Sequence, residues 1–281
     1  MDLSRPQPRS LRGFTIVELL VVIGIIVSLL GLVLLVGGRV NKQAREVTER
    51  NAARQAVVAW TNYALEHNGD LLPGYRSGLE AFTPEGEPIS TATIGVAGNR
   101  YPWRLAPYLG YNFDVLYVNE QSQYLDDLRN DDYSSYLYTA GTFPSLGINS
   151  TWLGGDEIDG CFNPALTSLL GNFYCSKMSQ IRNPQRLTVF ASSRGDSAPD
   201  GGGDSIEGYF KVASPTFSSR RWDAEYDPED TTSFGNVSAR WDGRSVVSRV
   251  DGSVDSLAIE EMDDMRFWAD RAESRDWVLA P

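Results

Sequence analysis

The hydrophobic and polar positions divide the chain into an apolar N-terminal stretch, an amphipathic stretch and a long mixed remainder. Residues 19–38 contain no charged side chain, and Ser28 is the only strongly polar residue among them. A helix of about 20 residues spans about 30 Å, which is the thickness of the hydrocarbon core of a bilayer. The pattern therefore predicts a membrane-spanning helix over residues 14–38.

A helical pattern continues through residues 39–67, where neither proline nor glycine occurs. Apolar side chains recur there at helical spacing, and polar ones, among them Glu49, fill the positions between. This is typical of an amphipathic helix with one apolar side and one solvent-facing side. Because the Asn-Gly pair at 68–69 is a stop signal, the two stretches predict one helix over residues 14–67, whose second half packs its apolar side on a sheet.

The body, residues 68–281, consists of short apolar segments separated by turn residues. Alternating apolar positions predict a strand over residues 186–192. Asp-Gly pairs at 242–243 and 251–252 separate three further alternating segments, which predict a three-stranded antiparallel meander. Apolar residues at helical spacing then predict a helix over residues 260–275. Helices combined with an antiparallel sheet indicate the α+β class.

The charge is distributed unevenly along the chain. Of the formal net charge of −12, the first 67 residues carry +3, so the body carries −15. An acidic body does not fit nucleic-acid binding, which depends on lysine and arginine contacts to phosphates. The sequence also has no phosphate-binding loop, no dinucleotide fingerprint and no local signature of a catalytic triad. We therefore predict no nucleic-acid partner and no enzymatic activity.

The segment in front of the apolar run carries a distinctive motif. Gly13 ends a basic leader and is followed by Phe14-Thr15-Ile16-Val17-Glu18-Leu19. A carboxylate in hydrocarbon is costly, so Glu18 is either a functional residue or lies at the level of the lipid headgroups. The whole string resembles the processing motif of type IV prepilins and type II secretion pseudopilins. In that motif a basic leader ends in glycine, and phenylalanine, glutamate and a long apolar helix follow in order.

The resemblance implies a processing site and an assembly residue. In this family a membrane prepilin peptidase cuts after the glycine, which is here between Gly13 and Phe14, so that residues 1–13 are removed. The new amino group of Phe14 is then N-methylated. Glu18 becomes an assembly residue, because its carboxylate pairs with the Phe14 amine of a neighbouring subunit, and charges in apolar surroundings are tolerated when they are paired.

The resemblance also implies a location, partners and a fold. Prepilin-like proteins cross the bacterial inner membrane once, and their C-terminal body lies outside the cytoplasm. Through the N-terminal helix they join other pilin or pseudopilin subunits in a periplasmic or extracellular filament. The expected fold is pilin-like: α+β, with a long N-terminal helix packed on an antiparallel sheet. We therefore expect a structural subunit of a type IV pilus or of a type II secretion pseudopilus, and these residues do not separate the two.

Cys161 and Cys175 are the two cysteines of the chain. With the body outside the cytoplasm, we expect them to form a disulfide, which would stabilise the fold by about 3 kcal/mol. The alternative is two unpaired buried thiols, which are common for cysteine.

An acidic, glycine-rich segment contains candidate calcium ligands at Asp196, Asp200 and Asp204. Carboxylate oxygens are calcium ligands, and the resemblance adds that some pseudopilins bind calcium in a C-terminal loop. The spacing does not match an EF-hand, and the alternative is an acidic loop without a metal. No other cofactor is predicted.

A second function remains open from the sequence. In this alternative the leader serves only for sorting, and the body is a membrane-tethered periplasmic domain that binds a ligand or catalyses a reaction. It predicts a ligand pocket within residues 70–235 and no requirement for Glu18.

Overall fold

The structure is a computed structural model that describes four stretches of the chain. They are residues 15–89, 94–118, 120–196 and 206–280. The side chains of residues 32–37, 120–121 and 206 also lie outside the description.

Helix α1 covers Ile16–Glu66, a length of 51 residues that falls within the predicted range. The helix ends just before the Asn-Gly pair, as predicted. Asn68 and Gly69 have φ angles of 54° and 84°, which are not compatible with a continued right-handed helix. The N–H of Gly69 donates to the carbonyl of Ala64 at 2.7 Å, which closes the last turn of the helix. A left-handed residue pair of this kind is a common way to end an α-helix.

The chain divides into two compact units, Met1–Ala44 and Arg45–Pro281. In the first unit the apolar side chains of α1 are exposed from Ile16 to Leu30. Exposure of a continuous apolar run reverses the usual burial preference of these residue types.

No helix among the described residues combines the length and the apolar character that crossing a membrane requires. The predicted span over residues 14–38 lies partly outside those residues, since it includes residue 14 and the side chains of residues 32–37.

The second unit is α+β, which confirms the predicted class. Its strands are β1 Leu146–Ile148, β2 Thr188–Ser192, β3 Arg194–Gly195, β4 Ile206–Glu207, β5 Arg244–Arg249 and β6 Val254–Ala258. Four of them form one sheet in the order β1-β2-β5-β6, and all neighbouring pairs are antiparallel. Strands β3 and β4 form a separate antiparallel pair. The strand predicted over residues 186–192 is present as β2.

Short helices occur before, between and after these strands along the chain. The α-helices are α2 Tyr101–Leu105, α3 Glu120–Asp131, α4 Tyr133–Thr142 and α5 Pro164–Leu170. Single 3₁₀ turns lie at Gly95–Asn99, Ala106–Leu109, Phe113–Leu116, Met178–Gln180 and Met265–Phe267. Asp132 caps α4, because its side chain accepts hydrogen bonds from the N–H groups of Ser134 and Ser135 at 3.1 Å.

The predicted meander is only partly present. The Asp-Gly pair at 251–252 joins β5 and β6 in a hairpin as expected, but residues 237–241 are not a strand of this sheet, and β2 lies beside β5 instead. Asp242 and Gly243 both have positive φ, and the N–H of Gly243 donates to the carbonyl of Ala239 at 3.1 Å. Because the chain reverses through this wide turn, residues 237–241 do not form a ladder with β5, and the prediction of a third strand is wrong.

The predicted helix over residues 260–275 is also wrong. This fully described segment contains a single 3₁₀ turn. The N–H of Met265 donates to the carbonyl of Arg275 at 2.9 Å, and the side chain of Asp264 accepts from the N–H of Arg266 at 2.9 Å. These bonds replace the regular ladder of a helix. The apolar positions that suggested a helix are nevertheless buried at Met262, Met265 and Ala269.

The second half of α1 contributes its apolar side to the core, as predicted. Val57 and Trp60 are fully buried in the same cluster as Phe190 of β2 and Val246 of β5. Burial of a large apolar side chain contributes about 1.5–3 kcal/mol to stability. Helix and sheet therefore share one hydrophobic core within the second unit.

One polar residue of this helix contradicts the amphipathic pattern. The pattern places Glu49 on the solvent-facing side, but its side chain is fully buried. A carboxylate oxygen lies 3.3 Å from Nε of Arg240, and the other accepts a hydrogen bond from the Ser192 hydroxyl. Burial raises the pKa of Glu49, whereas Arg240 and Ser192 oppose the rise. The expectation for Glu49 is wrong because residues far away in sequence provide the partners that allow its burial.

Candidate functional site

The start of α1 is held by reciprocal hydrogen bonds between two residues. The hydroxyl oxygen of Thr15 accepts from the N–H of Glu18 at 3.3 Å. One carboxylate oxygen of Glu18 accepts from the N–H of Thr15 at 2.9 Å and from its hydroxyl at 2.8 Å. This is a capping box, which pairs donors that the first turn of a helix leaves unsatisfied. The Thr-x-x-Glu spacing signals the box in the sequence, although the prepilin resemblance singles out Glu18 for another reason.

The predicted cleavage site is not described. Gly13 and Phe14 lie outside the described residues, so their roles and the assembly role of Glu18 stay predictions. The Glu18 carboxylate is exposed at the N-terminus of α1, where a negative charge interacts favourably with the helix dipole. It is therefore accessible to a further partner.

The first unit presents an apolar surface. Its exposed apolar side chains are Ile16, Val17, Leu19, Leu20, Val21, Val22, Ile23, Ile25, Ile26, Val27, Leu29 and Leu30. At Gly24 and Gly31, apart from the neighbouring backbone of the helix itself, no atom of the described residues lies within 4 Å of the place that a Cβ would take, so both sites leave room for another chain. Exposed apolar surface of this extent marks a contact with protein or with lipid.

The predicted disulfide is not formed. Cys161 and Cys175 are free, buried thiols that belong to two different core clusters. Burial raises the pKa of Cys161 to about 12 and that of Cys175 to about 11. Because the thiolate is the reactive form of cysteine, neither residue is suited to act as a nucleophile at neutral pH.

Of the three candidate calcium ligands, Asp200 and Asp204 lie outside the described residues. Asp196 accepts a hydrogen bond from the Thr231 hydroxyl. Within the described stretches, no group of three or more His, Cys, Asp or Glu side chains is arranged to hold a metal ion. The calcium site therefore stays a prediction from the sequence.

The neighbouring acidic segment, residues 223–230, is organised by an arginine. The guanidinium of Arg194 donates to the backbone carbonyls of Asp227 and Pro228 at 2.7 Å and to that of Asp230 at 2.8 Å. Converging carbonyls are suited to a cation, and here a side chain of the protein supplies the positive charge. These three carbonyls are thus satisfied without a metal.

A buried ionic cluster joins two distant segments of the body. Nζ of Lys211 lies 2.6 Å from Asp159 and 3.4 Å from Asp156. Asp156 also accepts from the Ser150 hydroxyl at 2.8 Å. Burial alone would raise the pKa of Asp159, but Lys211, the Thr151 hydroxyl and Arg221 together outweigh burial and hold the pKa below its ordinary value. Because both carboxylates are already paired with Lys211, the cluster is suited to hold these two segments together.

The body contains a cavity of about 410 Å³, which we call the Cys175 cavity. It is lined by Trp152, residues 172–175, Ser179, Gln180, Arg182 and residues 270–271. Small-molecule sites usually measure about 300–1,000 Å³ and combine apolar walls with a few polar groups. Most of the lining falls within residues 70–235, where the alternative function predicts a pocket.

Backbone contacts hold the wall of the Cys175 cavity in place. The N–H of Cys175 donates to the carbonyl of Trp152, and the N–H of Gly154 donates to the carbonyl of Cys175, both at 2.9 Å. Gly154 has a φ of 81°, and a Cβ there would lie 2.0 Å from the carbonyl oxygen of Leu72. Only glycine fits this close approach.

No protein-family model, no curated protein and no solved structure matches this chain. The prepilin resemblance therefore rests on the motif at residues 13–19 and on the apolar helix that follows it.

Proposed function

We propose that this chain is a prepilin-like structural subunit, which is cleaved between Gly13 and Phe14 and assembles into a filament related to type IV pili or pseudopili. The observation that carries the proposal is the order of Gly13, Phe14 and Glu18 in the sequence, together with the exposed apolar side chains of α1 that follow Glu18. Such an apolar surface is unfavourable in water and is stable only in contact with lipid or with another protein. Lipid provides this contact before assembly, and the helices of neighbouring subunits provide it afterwards.

Glu18 sets the register between subunits in this proposal. In the single chain its carboxylate is bonded to Thr15 at the exposed helix start. In the filament it pairs with the Phe14 amine of the adjacent subunit, because an unpaired charge among apolar helices is costly. This amine exists only after cleavage, so processing must precede assembly.

The first test is the intact mass of the membrane-extracted protein after expression with its prepilin peptidase. We expect the loss of residues 1–13 and the gain of one methyl group on Phe14. Expression with an inactive peptidase is the control and should leave the whole chain. A chain that stays uncut with active peptidase, or a cut after Gly38, contradicts the proposal.

The second test compares two glutamates of the same helix. We expect the variant Glu18→Ala to be processed normally but to form no filaments visible by electron microscopy. Glu66→Ala is the matched control, since Glu66 is exposed and its carboxylate accepts a hydrogen bond from the Tyr108 hydroxyl at 3.0 Å. Filaments of normal number from the Glu18 variant would remove the assembly role of this residue.

A second candidate function is a membrane-tethered periplasmic domain that binds a small ligand. The Cys175 cavity favours it, because its volume is suited to a small molecule. Such a domain needs the leader for sorting but needs neither Glu18 nor a filament. Full cellular function of the Glu18→Ala variant, in the absence of filaments, would select this candidate over the first.

A further inference from the structure

The Cys175 cavity differs in charge from the rest of the body. Two arginines, Arg182 and Arg271, line it together with a single carboxylate, that of Asp270. The cavity thus carries an excess of positive charge, whereas the body as a whole carries −15. A local field of opposite sign concentrates ligands of the complementary charge. The ligand that fits this field is an anion.

The two arginines are available to a ligand. Both are exposed, and within the described part of the chain neither forms an ion pair with a carboxylate. Burial and Asp270 raise the pKa of the Cys175 thiol, and the charges of Arg271 and Arg182 oppose this rise. Two arginines that line one cavity are suited to a carboxylate ligand, which arginine binds with paired hydrogen bonds.

Two further polar groups of the cavity, on Asp270 and Gln180, are positioned by hydrogen bonds to the backbone. Oδ1 of Asp270 accepts from the N–H groups of Arg182 and Asn183 at 2.9 and 3.0 Å, which fixes the carboxylate at the wall. Oε1 of Gln180 accepts from the N–H of Ser176 at 2.7 Å. The NH₂ group of Gln180 and Oδ2 of Asp270 thus provide a donor and an acceptor for hydroxyl groups of a ligand.

Aromatic rings form the apolar part of the lining. Trp152 and Phe173 pack edge to face with 6.2 Å between their ring centroids, and Phe173 packs in the same way on Tyr174 at 5.5 Å. Trp152 and Phe173 are buried, while Tyr174 is partly exposed. An aromatic surface next to amide and carboxylate groups matches the alternation of C–H faces and hydroxyl edges on a sugar ring.

We propose that the Cys175 cavity binds an acidic saccharide, whose carboxylate is held by Arg182 and Arg271, whose hydroxyls are held by Gln180 and Asp270, and whose ring lies against Tyr174. The volume of about 410 Å³ admits one or two sugar rings. The acidic body repels a long polyanion, so the cavity binds a short acidic saccharide or the end of a chain. This proposal does not depend on filament assembly, since all of its residues lie in the second unit.

The test uses the full-length chain in detergent and trigalacturonic acid as the probe, with binding measured by titration calorimetry. We expect binding that weakens as salt is added, because the ion pairs are exposed to solvent. The double variant Arg182→Gln, Arg271→Gln should lose about tenfold or more in affinity, which is the loss expected for charge-assisted hydrogen bonds. Both side chains are exposed, so the variant should keep the circular dichroism spectrum of the parent.

Matched controls separate the site from general charge effects. Arg54→Gln removes an exposed arginine of α1 and should bind the probe as the parent does. A neutral galactose trisaccharide should bind at least tenfold more weakly than the acidic one, as one lost charge-assisted contact predicts, and inorganic sulfate should not compete at equal concentration. The proposal is overturned by no binding of the acidic probe at millimolar concentration, by equal binding in the double variant, or by tighter, arginine-dependent binding of an acidic peptide.

Discussion

The two halves of α1 differ in which kinds of side chain they expose and which they bury. In the first half the apolar side chains of residues 16–30 are exposed, whereas in the second half the acidic side chain of Glu49 is buried. Both belong to one unbroken helix, so the difference does not arise from backbone propensity. The second half lies against the sheet of its own unit, and Arg240 lies 3.3 Å from Glu49. The environment of a helix face therefore decides which residue types it tolerates.

The same comparison separates two uses of a carboxylate. Glu18 is exposed and bonds within its own turn, while Glu49 is enclosed by the fold and lies beside Arg240. Loss of Glu49 should therefore act on folding, and loss of Glu18, under the proposed function, on assembly. Four further predictions test this contrast, each by a change confined to one region.

The largest expected effect belongs to Glu49→Ala. This change removes the buried carboxylate 3.3 Å from Arg240 and leaves Arg240 with the exposed carboxylate of Glu207 at 3.5 Å. We expect a loss of about 3–4 kcal/mol in the free energy of unfolding. Denaturant unfolding of the full-length chain in detergent, followed by tryptophan fluorescence, measures it. Glu66→Ala, at an exposed position, is the control and should change the midpoint little. Equal midpoints for both variants would mean that the buried pair does not stabilise the body.

A second buried carboxylate extends the contrast to pH. Lys211, Thr151 and Arg221 together hold the pKa of Asp159 below its ordinary value in spite of burial. The contribution of this carboxylate to stability is therefore present above its unfolded pKa and is lost as the pH falls through its folded pKa. Asp159→Asn should cost about 2–3 kcal/mol at neutral pH. Below about pH 4 the gap between variant and parent should narrow. A gap that stays constant during acid titration would contradict the assigned pKa direction.

Adjacent valines provide a matched pair inside the second half of the helix. Val57 is 0% exposed and Val58 is 52% exposed, although both have the same side chain and the same helical backbone. We expect Val57→Ala to cost about 1–2 kcal/mol through lost burial and a small cavity. Val58→Ala should stay within about 0.5 kcal/mol of the parent. Thermal unfolding of both variants measures the difference, and similar midpoints would show that the face is assigned incorrectly.

The smallest effect is expected for Thr15→Val, which removes the hydroxyl of the capping box at nearly constant volume. Amide hydrogen exchange at residues 16–18 should become faster by roughly fivefold, because the first turn loses its cap. Unfolding of the second unit should not change. Exchange rates equal to those of the parent would mean that Glu18 alone holds the helix start.

The sequence predicted those features that depend on neighbours along the chain. The helix stop at 68–69, strand β2 and the hairpin turn at 251–252 all follow from local periodicity or turn chemistry. The prediction of a helix over residues 260–275 is wrong, because the apolar residues there are spaced to reach the core and not to form one side of a helix. The buried residues of this segment face the core while a backbone bond from Met265 to Arg275 replaces the helical ladder.

The Cys175 cavity and the buried ion pairs could not be predicted from local sequence patterns. Trp152, Gln180 and Asp270 line one cavity although they come from distant parts of the chain. Sequence periodicity relates residues that are a few positions apart, so it cannot predict which distant residues line one cavity. The capping box of Thr15 and Glu18 is the exception, since its Thr-x-x-Glu spacing is local and readable.

By itself, the sequence determined the long helix and its end, the α+β class and the motif around Gly13 and Glu18, because local spacing and residue chemistry are sufficient for these. Only the tertiary structure decided that Glu49 is buried beside Arg240 and that Cys161 and Cys175 stay apart as free thiols. It alone also brought two arginines and a carboxylate to one cavity. The physical reason is that the burial and charge environment of a side chain depend on which distant segments the folded chain brings against it.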